Sequence, residues 1–223
     1  MTKKSNEELI AYFEELGVVP LVTLDSVEEA VPLARALERG GVPVAEVTFR
    51  SECALEGMRV IRDEVPGVTL VAGTVHTVEQ AKAAVEAGCV GLVTPAFTRS
   101  VVDWAVENGV LVLPGCAVPS DVDDAYQRGL RYVKFFPAEA YGGVRTLKAL
   151  NGPFAQMRFL PTGGVSLKNA EEYLGLDNVF AIGGSFPVPS RAQREGDWDA
   201  IAKACEDSRA LVERVRAAKG KDA

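Results

Sequence analysis

Strand-like and helical runs alternate along almost the whole of this 223-residue sequence, and this alternation limits the possible folds most strongly. Short runs rich in β-branched and aromatic residues predict eight strands, near residues 18–24, 43–49, 68–73, 90–94, 110–113, 131–136, 157–161 and 178–183. Amphipathic patterns predict helices near residues 27–39, 52–64, 77–87, 99–108, 120–128, 144–150, 167–174 and 192–218. A short leading helix is predicted over residues 5–16.

Repeated strand-then-helix units favour a parallel sheet, because each crossover helix returns the chain to the end of the sheet at which the preceding strand began. Eight such units at this chain length predict an α/β fold of the (β/α)8 TIM-barrel type, with residues 1–223 forming one domain. A doubly wound open sheet is the alternative, which the absence of a G-x-G-x-x-G fingerprint makes less favoured. In a barrel, functional groups are expected at the C-terminal ends of the strands.

Composition excludes several classes of function. A formal net charge of -7 argues against general binding to nucleic acid or anionic membranes, although a small anionic substrate responds only to local charge. The first eight residues contain no apolar h-region, so we expect a cytoplasmic protein without a signal peptide. The four cysteines form no C-x-x-C pair, and a single histidine argues against a zinc site built on imidazoles, so we expect no metal and no cofactor.

Lys134 lies in the middle of the sixth predicted strand, in the segment R-Y-V-K-F-F-P over residues 131–137. It is the only lysine that the pattern assigns to a strand. An ammonium group enclosed by apolar side chains is costly, so the neutral, nucleophilic amine becomes accessible there. Such an amine can form a Schiff base with a carbonyl substrate. The alternative is a lysine at a strand end whose head group reaches solvent.

The second predicted strand has one apolar and one polar face. Its odd-numbered residues should pack under the helices, which would direct Glu46, Thr48 and Arg50 into the barrel. A buried carboxylate is costly alone, so Glu46 should be paired or protonated, and a purely structural pair with Arg50 is one interpretation. If Lys134 also faces inward, these residues form a site for a 2-oxo acid. The amine would be the nucleophile, the carboxylate the base and the guanidinium the carboxylate anchor.

Two glycine pairs follow the last two predicted strands, in P-T-G-G-V over residues 161–165 and I-G-G-S-F over residues 182–186. Glycine lets backbone N–H groups approach an anion closely, and barrels frequently bind phosphate with these two loops. A lone glycine pair usually marks only a turn. Two pairs at the expected strand ends, one of them followed by Ser185, favour a phosphate site.

Three further residues lie at the predicted mouth of the barrel. Thr74, after the third strand, could hydrogen-bond a substrate carboxylate or ketone, and Pro95, after the fourth, would form a rigid apolar wall. Both are also ordinary turn residues. Glu139, in the loop after Lys134, is a second candidate for acid/base work.

The motifs resemble those of the 2-keto-3-deoxy-6-phosphogluconate (KDPG) aldolases, which also act as 4-hydroxy-2-oxoglutarate aldolases. The matching segments keep the family's order from about residue 18 to about residue 190. They are G-G-V at 40–42, E-V-T-F-R at 46–50, A-G-T-V at 72–75, T-P at 94–95, V-K-F-F-P-A-E at 133–139, G-P-F at 152–154, P-T-G-G-V at 161–165 and G-G-S at 183–185. The K-F-F-P-A-E and P-T-G-G segments together are specific.

This resemblance implies that Lys134 forms the Schiff base and that Glu46 is the general acid/base. Arg50 and Thr74 would bind the pyruvate end of the substrate, with Pro95 packed beside it. The substrate phosphate would be held at the glycine loops, by Thr162, Gly163, Gly164, Gly184 and Ser185. The implied assembly is a homotrimer, and the implied reaction, which uses no metal, releases pyruvate and glyceraldehyde 3-phosphate.

Two departures from the family pattern lie near the mouth. Val118 is near a position where a threonine is expected, and His76 replaces an apolar residue. Both bear on substrate preference, since related barrels act on the galactonate epimer, which differs only at C4. Two other functions remain open at this stage. One is a phosphate-binding isomerase or epimerase that uses Glu46 without covalent chemistry, and the other is a non-catalytic phospho-sugar sensor.

Overall fold

The computed structural model describes residues 4–219 and confirms the predicted α/β barrel of parallel strands. The strand segments are β1 (Val18–Val22), β2 (Val44–Thr48), β3 (Thr69–Gly73), β4 (Gly91–Val93), β5 (Leu111–Leu113), β6 (Gly115–Cys116), β7 (Tyr132–Phe135), β8 (Arg158–Pro161) and β9 (Ile182–Gly184). The helices are α1 (Asn6–Leu16), α2 (Ala30–Arg39), α3 (Ala54–Glu64), α4 (Val78–Glu86), α5 (Arg99–Glu107), α6 (Pro119–Gln127), α7 (Gly143–Leu150), α8 (Ala170–Leu174), α9 (Ser190–Glu195) and α10 (Trp198–Lys219). A 3₁₀ turn, Glu139–Tyr141, follows β7.

Hydrogen bonds arrange the strands into a ring. One sheet has the order β5-β4-β3-β2-β1-β9, and the other has the order β6-β7-β8. Only Pro114 separates β5 from β6, and because proline has no N–H, it interrupts a strand that runs on past the predicted bounds of 110–113. Bridges at Phe159–Val179 and Thr162–Gly183 join the β8 region to the β9 region. The nine segments therefore correspond to the eight predicted strands.

The helices depart from the prediction near the C-terminus. The pattern over residues 192–218 predicts one helix, but the chain forms α9 and α10, because Gly196 adopts a φ of 65° and ends α9. The helix predicted over residues 167–174 begins only at Ala170. In the preceding turn, the side chain of Asn169 accepts a hydrogen bond from the backbone N–H of Ser166 at 2.8 Å. Local side-chain hydrogen bonds of this kind compete with the helix.

The leading helix α1 forms as predicted and packs against the N-terminal end of the barrel. Ser5 and Glu8 form a capping box at its start, and its apolar face is buried. Arg158, at the start of β8, donates to Glu14 of α1 at 2.7 Å. This contact fastens the helix to the end of the barrel opposite the predicted site. None of the helices within residues 4–219 is both long enough and apolar enough to cross a membrane.

Candidate active site

Lys134 and Glu46 meet inside the barrel. The distance between Nζ of Lys134 and Oε1 of Glu46 is 3.1 Å, and the two residues are 2% and 0% exposed. They approach from different sheets, since Lys134 is on β7 and Glu46 is on β2. Both side chains thus point inward, as the alternation along the second strand predicts for Glu46 and as the proposed site requires of Lys134. The alternative of a lysine that reaches solvent is wrong.

The Glu46 carboxylate is only partly satisfied within the described structure. Oε1 accepts from Lys134, but Oε2 is buried and has no hydrogen-bond partner among residues 4–219. An unpaired buried acceptor of this kind is costly, and such groups are concentrated at functional sites. The pair has the geometry for proton transfer, because the carboxylate is within hydrogen-bond distance of the amine. Oε2 remains able to accept a proton or a further hydrogen bond.

Phe136 adds an aromatic wall beside the lysine. The centroid of its ring is 5.2 Å from Nζ of Lys134, a distance at which the ring face attracts a cation. A Cβ atom added to Gly163 would lie 3.2 Å from Cδ2 of the same ring. The phenyl group therefore connects the amine to the first glycine loop. Sequence analysis did not single out this residue, although it is in the K-F-F-P-A-E segment.

Arg50 is at the rim of the barrel rather than inside it. β2 ends at Thr48, and Arg50 lies in the following turn with an exposed side chain. The prediction that Arg50 lies inside the barrel is wrong, because the two-residue alternation holds only while the backbone stays in the strand. The structural Glu46–Arg50 pair is also wrong, since Glu46 pairs with Lys134.

Thr74 and Pro95 lie at the same end of the barrel, each directly or shortly after its strand. Thr74 is half-buried and has a φ of 57°, and it is the only residue other than glycine with positive φ among those described. A β-branched residue rarely adopts this conformation, and strain of this type is typical of functional sites. Pro95 is half-buried and follows Thr94, whose hydroxyl oxygen accepts from the backbone N–H of Gly115 at 3.3 Å.

The two glycine loops lie side by side. Thr162 is buried and forms a bridge with Gly183, which brings the end of β8 against β9. Gly163 and Gly164 have φ values of 96° and 81°, a left-handed conformation that other residues adopt only with strain. In the second loop, Gly184 is buried and Ser185 is exposed. All five residues predicted for phosphate binding are therefore neighbours at the C-terminal end of the barrel.

Glu139 supports the first glycine loop. Its Oε1 accepts a hydrogen bond from the phenol of Tyr173, and its Cγ would lie 2.5 Å from a Cβ added to Gly164. Burial raises the pKa of the Tyr173 phenol, and the neighbouring Glu139 carboxylate raises it further. These contacts give Glu139 a structural position beneath the loop.

The two departures from the family pattern are at the surface. His76 is exposed, and its backbone N–H donates to the side chain of Gln80 at 2.8 Å. Val118 is 40% exposed, immediately before α6. Within the described part of the chain, no three His, Cys, Asp or Glu side chains are close enough together to hold a metal ion.

A (β/α)8 barrel with an internal lysine–carboxylate pair and two adjoining glycine loops is an arrangement suited to a lyase that uses an active-site lysine. The family model for KDPG and KHG aldolase, where KHG denotes 4-hydroxy-2-oxoglutarate, matches residues 9–204. The chain belongs to this family. It is 45% identical to the 2-dehydro-3-deoxy-phosphogluconate aldolase of Dickeya dadantii over 184 residues, which cover 82% of this chain and 86% of that one.

Solved structures agree with this assignment. The chain resembles the KDPG aldolase of Legionella pneumophila, crystallised with pyruvate captured at low pH as a covalent carbinolamine intermediate. The TM-score is 0.86 and the identity 38%, over 88% of this chain and 96% of that one. It also resembles the 2-keto-3-deoxy-6-phosphogluconate aldolase of Zymomonas mobilis with 3-phosphoglycerate. Here the TM-score is 0.85 and the identity 37%, over 91% and 95% of the two chains.

Proposed function

We propose that this chain is a class I aldolase that cleaves KDPG to pyruvate and glyceraldehyde 3-phosphate through a Schiff base on Lys134. The observation that carries the proposal is the buried contact of 3.1 Å between Lys134 and Glu46, close to the glycine loops. A buried ion pair contributes little to stability on average, because desolvation offsets its attraction. A chemical use explains why the barrel retains it.

The reaction begins at the amine. Glu46 accepts a proton from Lys134, and the neutral amine attacks the C2 ketone of the substrate to form a carbinolamine. Glu46 returns its proton to the carbinolamine hydroxyl group, which leaves as water, so that a protonated imine joins Nζ to C2 and Glu46 is again a carboxylate. This cation withdraws electrons from the neighbouring C3–C4 bond. The Legionella relative, captured as a carbinolamine with pyruvate, supports this order of steps.

Cleavage needs a base for the C4 hydroxyl group. Glu46, directly or through a water molecule, takes this proton as the C3–C4 bond breaks and its electron pair moves toward the imine. Glyceraldehyde 3-phosphate leaves, and the enamine that remains is protonated at C3. Hydrolysis of the imine then releases pyruvate and regenerates the amine. The unpaired Oε2 of Glu46 is the acceptor that this step requires.

Substrate binding uses the two sides of the mouth. Arg50 at the rim holds the substrate carboxylate, Thr74 adds a hydrogen bond, and Pro95 packs against the pyruvate carbons. The phosphate binds at the opposite side, to Thr162, Gly163, Gly164, Gly184 and Ser185. The Zymomonas relative, which was crystallised with 3-phosphoglycerate, supports a site for a phosphorylated carboxylic acid.

Several finer points belong to the same proposal. Because the family model carries both names, 4-hydroxy-2-oxoglutarate is a second substrate, cleaved to pyruvate and glyoxylate. The galactonate epimer of KDPG is the alternative phosphorylated substrate, since His76 and Val118 change the mouth. The enzyme acts as a homotrimer in the cytoplasm and needs no cofactor. Light scattering after gel filtration tests the trimer, and a monomeric mass would exclude it.

A coupled assay tests the proposed reaction. Pyruvate release from KDPG, from its C4 epimer and from 4-hydroxy-2-oxoglutarate is followed with lactate dehydrogenase and NADH. We expect the highest kcat/KM with KDPG and no activity in the Lys134→Ala variant. Absence of pyruvate from all three substrates, with correctly folded enzyme, would overturn the proposal in favour of an isomerase or a sensor.

A further inference from the structure

Thr23 is a polar residue at the mouth that the proposed mechanism does not use. It follows β1 directly and is half-buried. In the pairing of β1 with β2, Leu21 is opposite Glu46 and Val22 is opposite Val47. Continuing this register places Thr23 beside Thr48, on the face of the strands that carries Glu46. Thr23 is thus one layer nearer the mouth than the proposed base.

The hydrogen bonds of Thr23 and Thr48 fix the direction of their protons. The two hydroxyl oxygens are 2.8 Å apart, and the Thr48 hydroxyl is 3.2 Å from the carbonyl oxygen of Val22. A hydroxyl has one proton, and a carbonyl can only accept. Both contacts are satisfied when Thr48 donates to Val22 and Thr23 donates to Thr48. The hydroxyl oxygen of Thr23 then has its lone pairs free to accept a hydrogen bond. This hydroxyl makes no other hydrogen bond within residues 4–219.

The position of β1 in the ring determines which part of a bound substrate lies next to Thr23. β1 lies between β2, which carries Glu46, and β9, which leads into the second glycine loop. A substrate that extends from Glu46 to a phosphate at this loop crosses the end of β1. In KDPG, the carbon between the C4 hydroxyl and the phosphorylated C6 is C5, which carries a hydroxyl group. The order of the strands therefore matches the order of groups along the substrate.

Gln193 holds Thr23 in place relative to the phosphate loop. Its Nε2 donates to the backbone oxygen of Thr23 at 2.8 Å and to Oε1 of Glu29 at 3.1 Å. Gln193 is in α9, the first helix after the second glycine loop. The acceptor is consequently positioned before substrate binds, which reduces the ordering cost of binding.

We propose that Thr23 accepts a hydrogen bond from the C5 hydroxyl of the phosphorylated substrate and so determines preference for it over 4-hydroxy-2-oxoglutarate. This inference rests on the proposed aldolase function. 4-Hydroxy-2-oxoglutarate has a carboxylate at C5 and offers no hydroxyl proton there. The hydrogen bond thus favours KDPG and its C4 epimer alike, and the selection concerns chain type rather than C4 configuration.

The test compares Thr23→Val with Thr23→Ser. Valine keeps the shape of the side chain and leaves Thr48 its own acceptor at Val22, so no buried donor loses its partner. We expect Thr23→Val to lower kcat/KM for KDPG about tenfold, the size of one good hydrogen bond, and to leave kcat/KM for 4-hydroxy-2-oxoglutarate unchanged. Thr23→Ser should keep most activity with both. Thr69→Val, the same change at the other end of the barrel, is the matched control.

Each contrary outcome is distinguishable. Equal losses with KDPG and 4-hydroxy-2-oxoglutarate would show a merely structural role, and unchanged kcat/KM with KDPG would show no role. Either result, with wild-type enzyme that cleaves KDPG, overturns the inference about Thr23 alone. Wild-type enzyme that cleaves neither substrate overturns the proposed function itself. The thermal unfolding temperature of each variant, compared with that of wild type, identifies a loss of activity that is caused by a less stable fold.

Discussion

Gly73 leaves the space that the Glu46 carboxylate occupies. A Cβ atom added to Gly73 would lie 2.6 Å from Oε1 and 2.8 Å from Cγ of Glu46, closer than real Cβ contacts allow. Gly73 ends β3 and does not have positive φ, so backbone conformation does not require glycine here. The requirement is steric, and it concerns the proposed base. Gly73 is a positioning residue that sequence analysis did not identify.

Gly73→Ala should therefore displace the carboxylate from Lys134. A misplacement of about 1 Å in a catalytic group can cost roughly a hundredfold in rate, so we expect kcat for KDPG to fall by about that factor. The decisive measurement is coupling with Glu46→Asp, whose shorter side chain relieves the clash. In the alanine background the aspartate change should cost less than in wild type. Strictly additive losses would contradict this account.

Glu46→Gln distinguishes the proton-transfer role of Glu46 from the nucleophilic role of Lys134. The amide keeps the shape of the side chain but cannot accept the C4 hydroxyl proton. We expect imine trapping with pyruvate to persist during a long incubation, because Lys134 can also lose its proton to water, while turnover of KDPG falls by roughly a hundredfold or more. Turnover within a factor of about two of wild type would remove Glu46 from proton transfer and direct attention to Glu139.

Arg50→Lys tests the carboxylate anchor at the rim. A guanidinium can bind a carboxylate with two parallel hydrogen bonds, whereas an ammonium acts as a compact point charge. We expect KM to rise about tenfold with KDPG and with 4-hydroxy-2-oxoglutarate, because both have the same C1 carboxylate. Because Arg50 is exposed, the variant should unfold at the wild-type temperature. An unchanged KM would assign the carboxylate to another residue.

The Tyr173–Glu139 contact predicts a pH dependence of stability. The pKa of Tyr173 is raised in the folded protein by burial and by Glu139, whereas an unperturbed tyrosine titrates near 10. Above pH 10 the unfolded chain loses this proton first, so the stabilisation is complete below pH 10 and decreases as pH rises further. Tyr173→Phe should lower the unfolding temperature by a few degrees at pH 7, from loss of one hydrogen bond.

The difference between wild type and Tyr173→Phe isolates this phenol. Burial also raises the pKa of the Cys89 and Cys205 thiols to about 12. Wild type and Tyr173→Phe therefore both lose stability at alkaline pH through these thiols. The gap between their unfolding temperatures should narrow as pH rises above 10. A gap that stays constant from pH 7 to pH 11 would exclude titration of Tyr173 as its cause.

The two-residue alternation of side chains along a strand, and the order of the strands in the chain, predicted the features that depend on regular strands. Alternation along β2 predicted that Glu46 faces inward, whereas the inward direction of Lys134 was a condition of the predicted site that the structure meets. The order of the units predicted that the glycine loops would adjoin. The same alternation gave a wrong prediction for Arg50, because this residue lies two residues beyond the strand. It is in a turn whose conformation the alternation does not specify. The prediction that residues 1–223 form a single domain stays a prediction.

Features that depend on contacts across the barrel could not be read from the sequence. Gly73 matters through a side chain on a neighbouring strand, and Thr23 through the register between β1 and β2. The left-handed conformation of Thr74 depends on the loop around it. From sequence, a β-branched residue such as threonine predicts a negative φ. The split between α9 and α10 had a local signal, Gly196, but one glycine inside a long amphipathic pattern does not by itself end a helix.

The central claim is covalent chemistry at Lys134, and borohydride reduction in the presence of pyruvate tests it most directly. Intact mass spectrometry measures whether one reduced pyruvate is added, and peptide mass spectrometry locates it, with Lys134→Ala as the control. The account predicts one adduct on Lys134 in wild type and none in the variant. Folded wild-type enzyme without an adduct on any lysine, or with the adduct on another lysine, would contradict it.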